Sequence, residues 1–166
     1  LPEGNTLKGG RILSRTQKHR RMAELGAREV MDPPFSAFCN LSPEAFVDRI
    51  LVDCFGARQV FCGDNFTFGA RAAGNVESLQ ALCARRGIGV TVVEMAGYGG
   101  KTVSSTRIRA ALEEGRLDDA NAMLGAPYAI DWTVRHGKGV GTSRLGTPTI
   151  NQNYPAGTLQ PCCGVY

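Results

Sequence analysis

The residues most able to do chemistry form a run of hydroxyl and basic side chains, Lys101-Thr102-Val103-Ser104-Ser105-Thr106-Arg107-Ile108-Arg109. We predict that a helix starts at Ser104 or Ser105, because a serine oxygen can cap the N–H groups of a first turn. Those N–H groups carry partial positive charge, so each nearby arginine costs roughly 0.3–1 kcal/mol unless an anion binds there. Hydroxyls, guanidinium groups and helix N–H groups together suit a phosphate, which gives a predicted phosphate site of Ser104, Ser105, Thr106 and Arg109. The alternative is a capped surface helix without a ligand.

A second candidate is the loop Gly63-Asp64-Asn65-Phe66-Thr67-Phe68-Gly69. Two aromatic side chains alternate with polar ones between two glycines, which suits a flat heteroaromatic ligand that also needs hydrogen bonds. The competing interpretation is a turn that buries both aromatic rings in the core. The residue pattern favours neither interpretation over the other. The candidate ligand-binding residues here are Gly63, Asn65, Phe66, Thr67, Phe68 and Gly69.

A third candidate is a glycine-rich run followed by two oxygen-bearing side chains. Such a run can hold phosphate, and hydroxyl and amide oxygens can hold a hard cation. Glycine-rich hairpins are common, so this signal is weak by itself. The residues concerned are Gly137, Gly139, Gly141, Thr149 and Asn151.

Helices and strands alternate around these candidates, which predicts an α/β fold with a parallel sheet. Helices are expected from Ser14 to residue 25, over 42–55 and 75–86, from residue 104 to Gly115, and over 117–124. Strands are expected over 28–31, 58–62 and 89–95, the second of them buried. Ligands in such folds lie at the carboxyl ends of strands, where the loops 63–69 and 96–103 follow. Strand-like alternation over 128–135 and a change of character near Ala126 predict two domains, 1–125 and a β-rich 126–166.

Composition excludes several classes of protein. No apolar run approaches the ~20 residues of a membrane span. Residues 1–28 hold seven Lys and Arg against two Glu, but no aromatic residue that could stack on a base, so we expect no nucleic-acid partner. Six cysteines without a Cys-x-x-Cys pair, and only two histidines, give no reason to expect zinc. Cys54, Cys62 and Cys83 are expected in the core, and the cytoplasm is the expected compartment.

Taken together, these stretches resemble the prokaryotic bifunctional riboflavin kinase/FMN adenylyltransferases, or FAD synthetases. The run Val103–Arg109 resembles their nucleotidyltransferase phosphate motif, and Gly63–Gly69 resembles their flavin-side loop. Glu113-Glu114-Gly115 through Leu124-Gly125-Ala126-Pro127-Tyr128 resembles the link between their two modules. Leu145-Gly146-Thr147-Pro148-Thr149-Ile150-Asn151 resembles the kinase Gly-x-Pro-Thr-Ala-Asn motif, with Ile150 in place of the usual Ala.

The resemblance implies a Rossmann-like nucleotidyltransferase domain followed by the start of a β-barrel riboflavin kinase. It implies ATP, riboflavin and FMN as substrates, FAD as product and Mg²⁺ as cofactor. Ser104, Ser105, Thr106 and Arg109 would then bind ATP phosphates, and the loop 63–69 would bind the flavin. Gly137, Gly139, Gly141, Thr149 and Asn151 would serve the kinase, with Thr149 and Asn151 on Mg²⁺.

The chain also departs from that family. The family's Gly-x-Phe-Asp-Gly-Val-His-x-Gly-His signature and its kinase glutamate are missing, and neither His19 nor His136 replaces the histidines. We therefore expect a segment cut at both ends, neither stable nor active alone. The family's first two strands lie between its third and fourth, so the strand over 28–31 would have no neighbour.

Two other functions remain open from the sequence. One is a sibling nucleotidyltransferase with another acceptor such as phosphopantetheine, although the loop 63–69 and the β-rich second module argue against it. The other is a non-catalytic flavin or nucleotide binder without the histidines.

Overall fold

The computed structural model describes residues 10–136, 146, 150–153 and 155–163. The predicted kinase-site residues Gly137, Gly139, Gly141 and Thr149 lie outside these described residues. Two compact units are present: unit 1 contains Met31–Thr102, and unit 2 contains the described parts of Thr6–Val30 and Val103–Tyr166. These units group the chain differently from the domains 1–125 and 126–166, which stay a prediction.

The helices and strands follow the chain in this order. The α-helices are α1 (Arg15–Glu24), α2 (Pro43–Phe46, continued as a π-helix over Val47–Cys54), α3 (Val76–Ala84), α4 (Ser105–Glu113) and α5 (Leu117–Leu124). Short 3₁₀ turns lie at Phe35–Ala37 and Ala70–Ala72. The strands are β1 (Gln59–Gly63), β2 (Gly89–Val93), β3 (Gly97–Tyr98), β4 (Lys101–Thr102), β5 (Val134–Arg135) and β6 (Asn151–Gln152).

Unit 1 is an α/β layer, as the alternation predicts. Strands β1 and β2 pair in parallel from Gln59↔Gly89 to Gly63↔Val93, and α3 is part of the crossover between them. Asn75 caps α3 by accepting the Ser78 N–H at 3.0 Å, and Gly87 follows the helix with a φ of +67°. The core lies on one side of the sheet, and its buried residues are Val47, Phe68, Leu79, Leu82, Cys83 and Ile88.

The second predicted helix is present but wound differently. Ser42 caps it by accepting the Ala45 N–H at 3.1 Å, and Pro43 and Glu44 follow in the first turn. Beyond Phe46 the helix widens, and the Phe55 N–H donates to the Ile50 carbonyl five residues back. Cys54 lies at the end of this wider winding, outside the core, and is exposed. The expectation of a core Cys54 was wrong, whereas Cys83 is fully buried and Cys62 packs partly against the core.

Two expectations for the sheet were also wrong. Residues 28–31 form no strand, because β1 and β2 pair only with each other within the described residues. The strand over 58–62 is buried on one face only: Val60 and Cys62 pack on the core, but the side chain of Phe61 is 69% exposed. On the neighbouring strand Val93 is 50% exposed. Parallel sheets are usually covered on both faces, but among the described residues the outer face of this one stays exposed at Phe61 and Val93.

Unit 2 begins with the capping box of α1. Ser14 accepts the Gln17 N–H at 3.0 Å, and the Gln17 Oε1 accepts the Ser14 N–H at 2.9 Å. The Gln17 Nε2 donates to the Ala129 carbonyl at 2.7 Å, and the Ser14 hydroxyl donates to Asp131 at 2.6 Å. Helix α1 is thereby fixed to the segment after α5. The same unit packs α4 on α5 around Ile108, Ala111, Leu112, Ala120 and Leu159.

An ion pair fixes the π-helical part of α2 to the end of α3. The Arg86 guanidinium donates from Nε and Nη2 to the two carboxylate oxygens of Asp48, the Nη2 bond being 2.9 Å. Arg86 also donates to the Leu82 carbonyl at 2.8 Å. The hydrogen bond from Arg86 lowers the pKa of Asp48 below its usual value. A pair joined by two parallel hydrogen bonds fixes the orientation of both side chains more strictly than an ordinary surface ion pair does.

Asp48→Asn is expected to lower the unfolding temperature of the full-length protein at neutral pH, because Arg86 loses its charged partner. Since the pKa of Asp48 is depressed in the folded state, its contribution is complete above the ordinary aspartate value of about 3.9. It is lost as pH falls through the lower, folded value. Thermal unfolding followed between pH 7 and pH 3 should therefore show the two proteins converging in acid. A constant difference, or convergence in alkali, would contradict the role given to this pair; Asp53→Asn, at an exposed position of the same helix, is the control.

Candidate functional site

The start of α4 has the geometry of a capped, accessible helix end. Ser104 is extended (φ −147°, ψ 155°), and its hydroxyl oxygen accepts the Arg107 N–H at 3.3 Å. This settles the N-cap as Ser104, one of the two predicted choices. Ser105 and Thr106 occupy the first turn and are both exposed. No acidic residue lies in that turn, so its partial positive charge is not offset by a side chain there.

Arg109 is held in place by main chain of the same unit. Its Nε donates to the Gly10 carbonyl at 2.9 Å, and the residue is half-buried. A guanidinium has further N–H groups in a fixed fork, which suits an oxyanion. Arg109 therefore has a fixed position and N–H groups that can donate hydrogen bonds to a phosphate.

The support under Arg109 is a feature that sequence reasoning missed. The Arg11 N–H donates to the Gly157 carbonyl at 2.8 Å, and the Leu159 N–H donates to the Arg11 carbonyl at 2.9 Å. At Gly10 the φ is +74°, and an added Cβ would meet Thr158 and Leu159 main chain at 2.6 Å. Only glycine fits so close an approach. The one signal in the sequence for this contact was the consecutive glycines at positions 9 and 10.

A tight hairpin precedes α4 along the chain. Strands β3 and β4 are joined by Gly99 and Gly100, whose φ values are +59° and +72°. Positive φ at both central residues is the requirement of the commonest two-residue hairpin turn. The predicted loop 96–103 is thus mostly an ordered hairpin.

The loop 63–69 follows the carboxyl end of β1 in unit 1. Phe68 is 5% exposed and lies in the core, whereas Phe66 is half-buried. The two rings stack at 5.7 Å with 9° between their planes, and Phe46 packs on Phe68 at 5.3 Å. For Phe68 this geometry matches the core interpretation. Asn65 and Thr67 are exposed, so only Phe66 of the two rings retains accessible surface of any size.

The base of this loop is closed by main-chain bonds. Phe68 and Gly74 exchange N–H···O bonds of 3.0 and 2.8 Å. A Cβ at Gly74 would meet the Phe68 ring at 2.6 Å, so glycine is required there. At the other side, Gly69 has a φ of +76° and lies against Pro43. The loop is therefore anchored by its buried ring, with its polar residues outward.

Of the predicted kinase residues, Asn151 is the one within the described part of the chain. It lies on β6 opposite Arg135 of β5 and is exposed. The expected strand over 128–135 is short, since only Val134–Arg135 pair. Among the described residues, no cluster of three His, Cys, Asp or Glu side chains could hold a metal ion. The three candidate sites belong to unit 2 (Ser104–Arg109 and Asn151) and unit 1 (the loop 63–69).

Comparison with known proteins places these residues in context. A model of the FAD synthetase family matches residues 4–107, and a riboflavin kinase model matches residues 124–166. A bifunctional riboflavin kinase/FMN adenylyltransferase of Listeria monocytogenes is 36% identical over 150 residues, covering 90% of this chain and 47% of the relative. Proteins of the same name from Pseudomonas fluorescens and Escherichia coli K12 are 38% and 33% identical, covering 76% and 94% of this chain and 40% and 50% of the relatives. The chain spans about half the length of the curated relatives it matches.

A solved structure is also similar. It is described as a macrolide-efflux protein from Streptococcus pneumoniae, with a TM-score of 0.81, 29% identity, and coverage of 93% of this chain and 49% of that one. Within the part of this chain that the structure describes, no helix has both the length and the apolar character of a membrane span.

The FAD synthetase match covers more than half of the sequence and contains both the loop 63–69 and the capped start of α4. The chain therefore belongs to the FAD synthetase family.

Proposed function

We propose that the full-length protein phosphorylates riboflavin to FMN and then adenylylates FMN to FAD, in the cytoplasm. Its substrates are ATP, riboflavin and FMN. This chain would supply the ATP phosphate site and flavin loop of the adenylyltransferase, and the start of a β-barrel kinase module. The relatives are named for both activities, which supports both here, and six cysteines without a disulfide support a reducing compartment.

One observation carries the adenylyltransferase assignment: the start of α4 presents donors and positive charge without an acidic neighbour in its first turn. In the reaction, an FMN phosphate oxygen attacks the α-phosphorus of ATP. A new P–O bond forms as the bond to the β,γ-pyrophosphate breaks, and pyrophosphate leaves with the electron pair. Such a transfer needs alignment and donors for the developing negative charge rather than a protein nucleophile. Ser105, Thr106 and Arg109 would provide those donors on the frame that Ser104 caps.

The loop 63–69 is proposed to hold the isoalloxazine. Exposed Asn65 and Thr67 would bond the polar edge of the ring, and Phe66 would contact its face. Phe68 would support the Phe66 ring from the core side, because its buried ring stacks on Phe66. The riboflavin kinase match over 124–166 favours a flavin acceptor over phosphopantetheine.

For the kinase, Asn151 is proposed to contact ATP phosphate and Mg²⁺ together with Thr149. Mg²⁺ prefers several oxygen ligands, including carboxylates and substrate phosphates. The amide oxygen of Asn151 is of the right type, but by itself it does not make a magnesium site.

Ser104→Asp tests whether an anion binds at α4. Aspartate caps as well as serine and is favoured at a helix start, so the unfolding temperature should hold. Its charge would repel a phosphate, so the KM for ATP in FAD formation should rise roughly ten-fold or more, about 1.4 kcal/mol. Ser42→Asp, which alters the equivalent cap of α2, should leave that KM unchanged. A normal KM in Ser104→Asp would exclude this helix end as the ATP site.

Arg109→Ala should weaken ATP binding and adenylyl transfer while sparing riboflavin phosphorylation. Losing a charged hydrogen bond costs about 1.5–3 kcal/mol, so a roughly ten- to hundred-fold fall in kcat/KM is expected. Arg109→Lys keeps the positive charge but loses the forked pair of N–H donors, so its kcat/KM should lie between those of the wild type and Arg109→Ala. Arg85→Ala, an exposed arginine just beyond α3, is the control. Equal loss of both activities would indicate that Arg109 only supports the fold through Gly10.

Asn151→Ala should abolish riboflavin phosphorylation and leave FAD formation from supplied FMN intact. The matched control is Asn153→Ala, two positions along and also exposed. Both reactions would be followed by separating riboflavin, FMN and FAD chromatographically. Normal phosphorylation by Asn151→Ala would remove Asn151 from the kinase site.

A further inference from the structure

Two adjacent thiols, Cys162 and Cys163, lie outside the sites described above. Both side chains are exposed, and neither forms a disulfide. The Cys162 thiol donates weakly to the Cys163 carbonyl at 3.6 Å. Two exposed cysteines therefore lie on consecutive residues at the surface of unit 2.

This pair sits on a fixed support. The Cys162 N–H donates to the Leu112 carbonyl at 3.1 Å in the last turn of α4, and Leu112 is only 1% exposed. Gly115 follows α4 with a φ of +74°, and a Cβ there would lie 3.6 Å from the Cys162 Cβ and 3.8 Å from its Sγ. Because Gly115 has no side chain, nothing from that residue covers the thiol.

The other four cysteines have different surroundings, all in unit 1. Cys83 is fully buried, and burial raises the pKa of its thiol. Cys39 and Cys62 are half-buried. Cys54 is exposed, but it has no neighbouring cysteine in the sequence, and its sulfur lies 3.8 Å from Met31 Sδ. Only residues 162 and 163 place two exposed thiols on consecutive positions.

We propose that Cys162 and Cys163 form a bidentate site for a trivalent arsenical. Thiolate sulfur is the preferred ligand of soft centres, whereas a structural zinc needs four ligands that the described residues do not assemble. An organoarsenical oxide, R–As=O, forms two As–S bonds as both S–H protons leave with the oxygen as water. Arsenic stays trivalent, so no oxidant or reductant is needed. Once one sulfur has bonded, the second reacts intramolecularly, at an effective concentration that a lone thiol cannot match.

The test uses full-length protein that has been reduced with a phosphine and freed of it. Phenylarsine oxide is added, excess glutathione follows, and adducts are counted by intact mass. A chelated adduct should survive glutathione, a monothiol, and be removed by 2,3-dimercaptopropanol. Cys162→Ser and Cys163→Ser should each lose this glutathione-resistant adduct completely, whereas Cys54→Ser should retain it.

Both serine variants are expected to unfold at the wild-type temperature, because the replaced side chains are exposed. The proposal is overturned if the resistant adduct persists in either variant, or if glutathione removes it from the wild-type protein. It is independent of flavin chemistry, so FAD synthesis by the same variants serves as a separate check that they are folded.

Discussion

The parallel pairing of β1 with β2 is the interaction on which unit 1 depends. Five residue pairs join the strands, and the buried cluster around Val47, Leu79 and Cys83 fills only one side of them. Because a strand needs a hydrogen-bonded neighbour, residues 28–31 stay outside the sheet although their sequence is extended in character. Phe61 and Val93 lie exposed on the outer face of these two strands, a face that helices usually cover in a parallel sheet.

In unit 2 the corresponding constraint acts at the start of α4. A helix end must satisfy its N–H groups, and Ser104 satisfies one of them. Ser105 and Thr106 stay exposed, while Arg109 is restrained by the Gly10 carbonyl. Gly10 can hold that position because it packs directly on the main chain of residues 157–159. The cap at Ser104 thus positions the first turn with Ser105 and Thr106, and the main chain at Gly10 positions Arg109.

Local chemistry explains which elements were predictable. Caps at Ser14, Ser42, Asn75 and Ser104, and glycines that end helices, depend on a few neighbouring residues, so pattern alone located the helices. Features set by distant residues were missed. The π-helical winding that exposes Cys54, the bare face bearing Phe61 and the pairing of Arg11 with Thr158 all depend on what packs or pairs across the unit. For the candidate sites, the sequence identified the types of residue, but it did not show the distant contacts that hold them, such as the bond from Arg109 to the Gly10 carbonyl.

The loop 63–69 shows why its two sequence interpretations were not exclusive. Burial of Phe68 removes one ring from ligand contact, yet that ring closes the loop through Gly74 and stacks beneath Phe66. Asn65 and Thr67 alternate with the two rings, so burying one side of the loop turns the other outward. A binding loop gains affinity when its bound shape is already fixed, because less conformational entropy is lost. By fixing the loop in the core, Phe68 would allow Asn65, Phe66 and Thr67 to form the proposed flavin-binding surface before the ligand arrives.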